Sequence, residues 1–389
     1  MQIPLTAADE TRLKRVVDES EFAALVTPLA EPVHRCSSVL TRTPEGACRS
    51  LDSSGLCSLV VRAGDDVLSD ACAMFPRTVA QTPERVEIAG SLACPEAARL
   101  CLLSEDGIEV VPASLELLSR FEPTEFPPGR EPYDALADLV RDYAVKVFSD
   151  RSTPIRARLM QLAELGARVE DFYFRGGPAD VRERLIHELE RVQTEQHTLD
   201  VKGELVVQMV FSLMSGLRER GTARFQQLLN MVTYTYQAAA LELEPGLGKA
   251  PNPTLLWATL WKVMCAKNEH VFGGRLELLL ERYWLNDLHR TSFTRARSLS
   301  SHAFQMILRG VVLRFLVLGH PVINELARNE ALTAEQERTF DAAFIETVQL
   351  YAKHIEKDSE MFAMFESHFS LESLKTDSLG RARMFAFAA

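Results

Sequence analysis

The most reactive side chains in the sequence are its seven cysteines, and six of them fall between Cys36 and Cys101, leaving only Cys265 in the long remainder. Cys48, Cys57, Cys72 and Cys94 are separated by 8, 14 and 21 residues, wider than the paired C-x-x-C spacing of zinc ribbons and bacterial ferredoxins. Cys48 follows Glu45-Gly46-Ala47, Cys57 follows Ser53-Ser54-Gly55-Leu56, and Cys72 precedes Ala73-Met74-Phe75-Pro76. Each therefore stands beside a turn, whose backbone N–H groups can hydrogen-bond sulfur and help gather thiolates around one centre. Cys94 directly precedes Pro95-Glu96, a helix start, where the dipole favours thiolate over thiol. Four thiolates can close either a structural zinc site or a 4Fe-4S cluster, and spacing does not choose between them. Spacing alone gives equal weight to the plainer alternative, that each cysteine is a small buried apolar residue. Cys36 and Cys265 are spare on this reading; Cys101, seven residues after Cys94 on the same helix face, is a reserve ligand.

Other chemistry is less visible. No Ser-His-Asp order or zinc-protease helix motif can be read. His302 and His320 lie near apolar segments, His187 and His197 on a charged helical stretch and His354 beside Lys353, all better read as core or solvated than as ligands. The balance of 43 Lys+Arg against 54 Asp+Glu, a formal charge of -11, repels nucleic-acid phosphate and anionic lipid, so neither is expected as a partner. Met1 to Thr6 lead straight into Asp9-Glu10-Thr11-Arg12 without the apolar run of a secretory signal, so a cytoplasmic location is expected. In that setting thiols stay reduced. Gly310 to Gly319 is half the roughly 20 residues needed to span a bilayer and carries Arg314, so no membrane span is expected.

The elements that must hold the cysteines differ along the chain. Leu13, Val16 and Val17 give one helix signal before Pro28 and Pro32 break it. From Arg35 to Ala93, glycines, prolines and short β-prone runs such as Ser58–Val61 and Val86–Ile88 offer little periodic apolar surface, which points to something other than a large core, such as a metal, as the staple. Proline-rich residues 112–132 read as a linker. Beyond it Leu136, Leu139, Val140, Tyr143 and Val147 recur at helical spacing, Pro154 and Pro178 mark helix starts, and similar stripes run through 205–217, 225–241, 276–288, 304–318 and 340–355. The expected fold is mainly α. A small, irregular, cysteine-rich domain (1–111) and the linker (112–132) precede a larger all-helical domain (133–389) of about eight to ten helices.

Three segments in register, Gly55–Leu59, Leu68–Arg77 and Ser91–Leu100, resemble the flagellin lysine-N-methylase family, and Gly46–Leu51 resembles the element just upstream, with Cys48-Arg49 where Cys-Pro is usual. Leu280–Asn286 is similar to a Glu-Asn-Tyr-x-x-Asn element, with Arg282 in place of Asn, and the likeness extends loosely to about residue 368. The resemblance implies an iron-sulfur cluster on Cys48, Cys57, Cys72 and Cys94, and methyl transfer to lysines of flagellin or a related filament subunit. It also implies S-adenosylmethionine as donor. The family carries a further cysteine-rich stretch, with a Cys-Cys pair, ahead of the segment that Ile3–Glu10 matches, and this sequence begins after it; a start codon placed too late is the expectation that follows.

A lysine amine with pKa near 10.4 is only roughly 0.1% neutral at pH 7.4, equivalent to roughly 4 kcal/mol against the nucleophile, so a methylase must desolvate it or supply a base. Glu281, Tyr283 and Asn286 are the candidates for lining such a pocket, against the commoner alternative that they are core. Glu244-Pro245-Gly246-Leu247-Gly248 follows a helix pattern, not a strand, and reads as a helix-ending turn, which disfavours a doubly wound nucleotide domain. The sequence singles out no catalytic or donor-binding residue. Two functions are compatible with the sequence: a cluster-containing methyltransferase, and a non-catalytic, metal-stapled or redox-sensing module that binds a protein partner.

Overall fold

A computed structural model describes residues 3–33, 35–44, 46–81, 86–105, 107–112, 131–176, 187, 217, 221–243, 253–291 and 298–356. The chain divides into two compact units, the first Met1–Thr78 with Val111–Thr124, the second Val79–Val110 with Glu125–Ala389. Residues 113–130 of the expected linker lie outside the described residues.

The first unit is more regular than the sequence suggests. Strand β1 (Pro4–Thr6) ends in a capping box, where the Thr6 hydroxyl accepts from Asp9 N and the Asp9 carboxylate from Thr6 N, which starts α1 (Ala7–Lys14). Helix α2 (Glu19–Leu25), capped by Asp18, runs into β2 (Val26–Val33), which pairs with β3 (Cys36–Leu40) in an antiparallel sheet ordered β1-β3-β2. Pro28 and Pro32 break no helix here; they lie in an edge strand, where a missing N–H is tolerated. Ser58–Val61, β-prone by composition, opens helix α3 (Ser58–Ala63) instead. Among the described residues no strand pairs with it, and Ser58 N donates to Ser50 O at 2.7 Å, so local bonds override a propensity that depends on cross-strand neighbours.

Helix α4 (Asp70–Met74) follows, capped by Ser69. Among the described residues, eight apolar side chains from Leu5 to Val67 form one small buried cluster in this unit. A polar knot supplements it. Buried Asp9 accepts from Thr6 N at 2.8 Å, from Asp70 N at 2.9 Å and from Arg12, whose guanidinium also reaches the Asp70 carboxylate at 2.5 Å. The start of the chain is thereby tied to the helix that carries Cys72.

Strand β4 (Arg77–Gln81), whose last three residues open the second unit, pairs with β5 (Val86–Gly90), and α5 (Pro95–Leu103) follows, with Cys94 at its N-cap and Pro95 at its first position. Helices α6 (Glu131–Ser149), α7 (Ile155–Gly176), α8 (Ala223–Leu243), α9 (Pro253–Arg290), α10 (Leu299–Leu318), α11 (Pro321–Leu326) and α12 (Ala334–His354) complete it among the described residues. Leu136, Val140 and Val147 of the predicted α6 stripe are buried, with Leu139 and Tyr143 packed against the same core. The stripes at 225–241 and 340–355 correspond to α8 and α12, whereas 205–216, Pro178 and Gly246–Gly248 lie outside the described residues. The stripe at 276–288 is only the second half of α9, whose 38 residues continue straight through Gly273-Gly274. The glycines interrupt the apolar pattern but not the backbone.

Helix α10 is buried along most of its length, and its charged Arg309 and Arg314 form ion pairs with α9. It is twenty residues long, not ten, so by length and composition it meets the test for a membrane span; 83% of its most apolar window is nonetheless buried inside the protein. Neighbours approach it closely where side chains vanish: a Cβ on Gly166 of α7 would sit 2.9 Å from Leu299 O, and one on Gly310 would sit 1.8 Å from the Trp284 ring of α9. The fold is thus mainly helical with a small strand-containing N-terminal region.

Candidate functional site

Three of the four predicted ligands, Cys48, Cys57 and Cys72, lie in the first unit. Cys48 closes an isolated bridge with Arg42 just after the positive-φ Gly46, and Cys57 pairs with Leu51 just after the positive-φ Gly55. The Asp52 carboxylate shapes the intervening turn, accepting from Ser54 N at 2.8 Å and Leu56 N at 3.0 Å. Cys72 lies in α4. All three are half-buried against the same small core. Burial pushes the Cys72 thiol above its ordinary pKa, Ser69 pulls it back by hydrogen bonding, and Cys48 and Cys57 push it further up through their own charge. Among the described residues, no three or more His, Cys, Asp or Glu side chains come together as a metal ion requires. Cys48 and Cys57 follow turns and Cys72 stands on a helix, and thiols are the donors that iron-sulfur and zinc centres use.

Cys94 belongs to the second unit, half-buried at the start of α5, and its side chain makes no capping hydrogen bond. Cys101 packs against the helical core, where burial pushes its thiol up to about 12 despite Arg282 nearby. Cys265 is buried in α9 and is raised for the same reason. Such thiols stay protonated and act as packing atoms.

The segment Glu281–Arg290 at the end of α9 gathers polar side chains that the sequence could not connect. Glu281 accepts from Arg151 and from buried Arg158, each at 2.9 Å. Arg282 donates to Leu102 O at 2.6 Å and so holds α5, while Asn286 donates to Gly90 O at 3.1 Å and holds β5. Tyr283 donates to Glu356 at 3.1 Å. Asp287 lies between Arg290 at 2.5 Å and Arg309 of α10 at 3.0 Å, and Arg290 reaches Glu356 at 3.0 Å. Two carboxylates face two guanidiniums out of water. Burial works to raise the Asp287 carboxyl, but Arg309 and Arg290 hold it below its usual range, whereas burial prevails at Glu356 and raises it. Glu281, Tyr283 and Asn286 are each buried, and each ties another part of the chain to α9. The core alternative describes them, in a polar rather than an apolar form.

His302 stands beside this network. Burial and the Arg309 charge lower its pKa to about 4, against a smaller opposing pull from Asp287. The folded protein therefore holds it neutral where the unfolded chain, with a pKa near 6.5, binds a proton. Stability is full above pH 6.5 and falls as the pH drops toward 4, by ~3 kcal/mol for this group. Denaturant titrations at pH 7 and pH 5 are expected to show the loss, with a shallower pH slope in His302→Gln; equal slopes in both proteins would show that another group is responsible. His320 is also buried, and His354 stacks on Phe225 at 4.7 Å.

A half-open cavity of about 400 Å³ lies elsewhere on α9, between α7 and α10. Arg156 and Arg314 line it, both donating to the same Glu269 oxygen, at 2.9 and 2.8 Å, and Glu277 accepts from Ile155 N at 2.8 Å at the start of α7.

These observations define a mainly α-helical protein whose second unit is built on a buried ion network and whose first carries a cysteine trio. The profile of the FliB lysine N-methylase C-terminal domain matches residues 141–381, more than half of the sequence. The chain belongs to that family of flagellin lysine N-methylases. No curated protein and no solved structure matches it. The cysteines at 48, 57, 72 and 94 lie before the matched segment.

Proposed function

We infer that the chain is a protein-lysine N-methyltransferase acting on flagellin or a related filament subunit, with S-adenosylmethionine as the methyl donor. The observation that carries this reading is the family match across most of the helical unit. The reaction forms a bond between the lysine nitrogen and the methyl carbon and breaks the bond from that carbon to the donor sulfur. The donor leaves as the neutral thioether S-adenosylhomocysteine, and the amine gives up a proton. Cys48, Cys57 and Cys72 are assigned to an iron-sulfur cluster, 4Fe-4S by ligand type, with zinc as the alternative; the support is their shared core. The fourth thiolate, Cys94 by the motif register, rests on the sequence pattern alone. A bound centre would supply the first unit with a cross-link beside its small apolar cluster.

Incubation of flagellin with methyl-labelled S-adenosylmethionine is expected to give methyl-lysine. Anaerobically purified protein is expected to carry iron and sulfide at about four each per chain, lost in Cys57→Ser. Methyl-lysine absent from every filament substrate, in protein that retains its metal, would overturn the enzyme reading in favour of a metal-stapled interaction module. Zinc, or no metal, in active protein would remove the iron-sulfur assignment alone.

A further inference from the structure

Gly273 and Gly274 are the feature of α9 that neither helix formation nor packing explains. Each disfavours the helix interior by about 1 kcal/mol relative to alanine. Helix interiors keep such residues where a neighbour needs the room, as Gly310 shows beneath Trp284, yet a Cβ built on either Gly273 or Gly274 meets nothing within 4 Å. The space they leave is the wall of the cavity of about 400 Å³, a volume within the range of small-molecule sites.

The charges around that wall have a pattern. Arg314 is 4% exposed and Arg156 39% exposed, and both converge on one oxygen of Glu269, itself 49% exposed. A half-exposed carboxylate thus occupies the point on which two guanidiniums are focused, a place that a ligand's carboxylate can take with the same charge-assisted geometry. Displaced Glu269, and Glu277 beside it, then face a cationic group on that ligand. Bare helix backbone at the glycine pair offers a surface against which a flat ring can lie without meeting side chains.

From this we propose that the cavity binds the methyl donor: a zwitterion whose carboxylate lies between Arg156 and Arg314, whose ammonium faces Glu269 and Glu277, and whose aromatic base covers Gly273-Gly274. The proposal rests on the methyltransferase reading and adds the site to it. Because open space surrounds both glycines, Gly273→Leu fills the cavity while favouring the helix, so the variant is expected to fold with an unchanged or higher melting temperature.

The probe is S-adenosylhomocysteine, titrated calorimetrically into the purified full chain. Gly273→Leu and Arg156→Ala are each expected to weaken binding at least about tenfold, and each should lower methyl transfer to flagellin at subsaturating donor. Wild-type binding that both variants retain would overturn the site and leave the enzymatic reading standing, as would methyl transfer by a wild-type protein whose donor affinity is indifferent to both changes. Binding that the variants abolish, in a protein that methylates no filament lysine, would keep the cavity and remove the activity. A wild-type chain that takes up no S-adenosylhomocysteine overturns the proposal outright.

Discussion

Replacement of Asp287 by alanine is expected to destabilise the helical unit by ~3–5 kcal/mol, a large part of the ~5–15 kcal/mol that holds an ordinary domain folded. The carboxylate is 1% exposed and lies between Arg290 and Arg309. Without it Arg290 and Arg309 lose the carboxylate they share, and Glu356, which Arg290 also reaches, is already pushed by burial toward the neutral form. An uncompensated buried charge is costlier than the pair was favourable, because the desolvation remains after the attraction has gone. Urea denaturation followed by circular dichroism measures the loss. The double variant Asp287→Leu with Arg309→Met should lose less than the sum of its parts, since it removes the stranded charge along with its partner. A loss below about 1 kcal/mol in Asp287→Ala would mean that water reaches the network.

Gly310→Ala is the second large effect. A Cβ there would lie 1.8 Å from Trp284 Cζ2 and 2.4 Å from Cε2, far inside contact distance. The indole cannot yield easily: its Nε1 donates to Met306 O at 3.1 Å, and Phe148 packs on it at 6.1 Å between centroids. Either α9 and α10 move apart or the ring leaves its rotamer, and the expected cost is ~3 kcal/mol or more. The added variant Trp284→Leu should restore part of the loss by vacating the contact. Gly273→Ala is the natural comparison. It makes the same chemical change in the neighbouring long helix, meets open space, and is expected to be neutral or stabilising. Equal melting temperatures for Gly310→Ala and the parent protein would refute the close packing of Gly310 against Trp284.

What the sequence makes legible follows from the range of the interactions involved. The α5 start at Cys94-Pro95 and the α7 start after Pro154 are local matters, decided by a few successive residues, and both stand as expected. The apolar stripes of α6, α8 and α12 are legible because one face recurring every 3.6 residues needs no knowledge of its partner. Ser58–Val61 misleads because strand propensity is satisfied only by another strand. The polar network of Glu281–Arg290 is hidden for a related reason: Arg158 and Glu281 are 123 residues apart, and periodicity carries nothing about which distant charge will meet which. The cysteines divide in the same way. Turns beside Cys48 and Cys57 can be read from Gly46 and Gly55, but that Cys48, Cys57 and Cys72 share one core while Cys94 belongs to the second unit is a matter of tertiary packing.

The arrangement at the end of α9 also bears on how related chains can diverge. Position 287 answers to 309, 281 to 158, 283 to 356, and each partner sits on a different part of the chain. A substitution at one end leaves a stranded group at the other, so drift at these places should proceed by compensated pairs, and an alignment deep enough to measure covariation should recover these couplings before those of any solvent-facing stretch of the same helix.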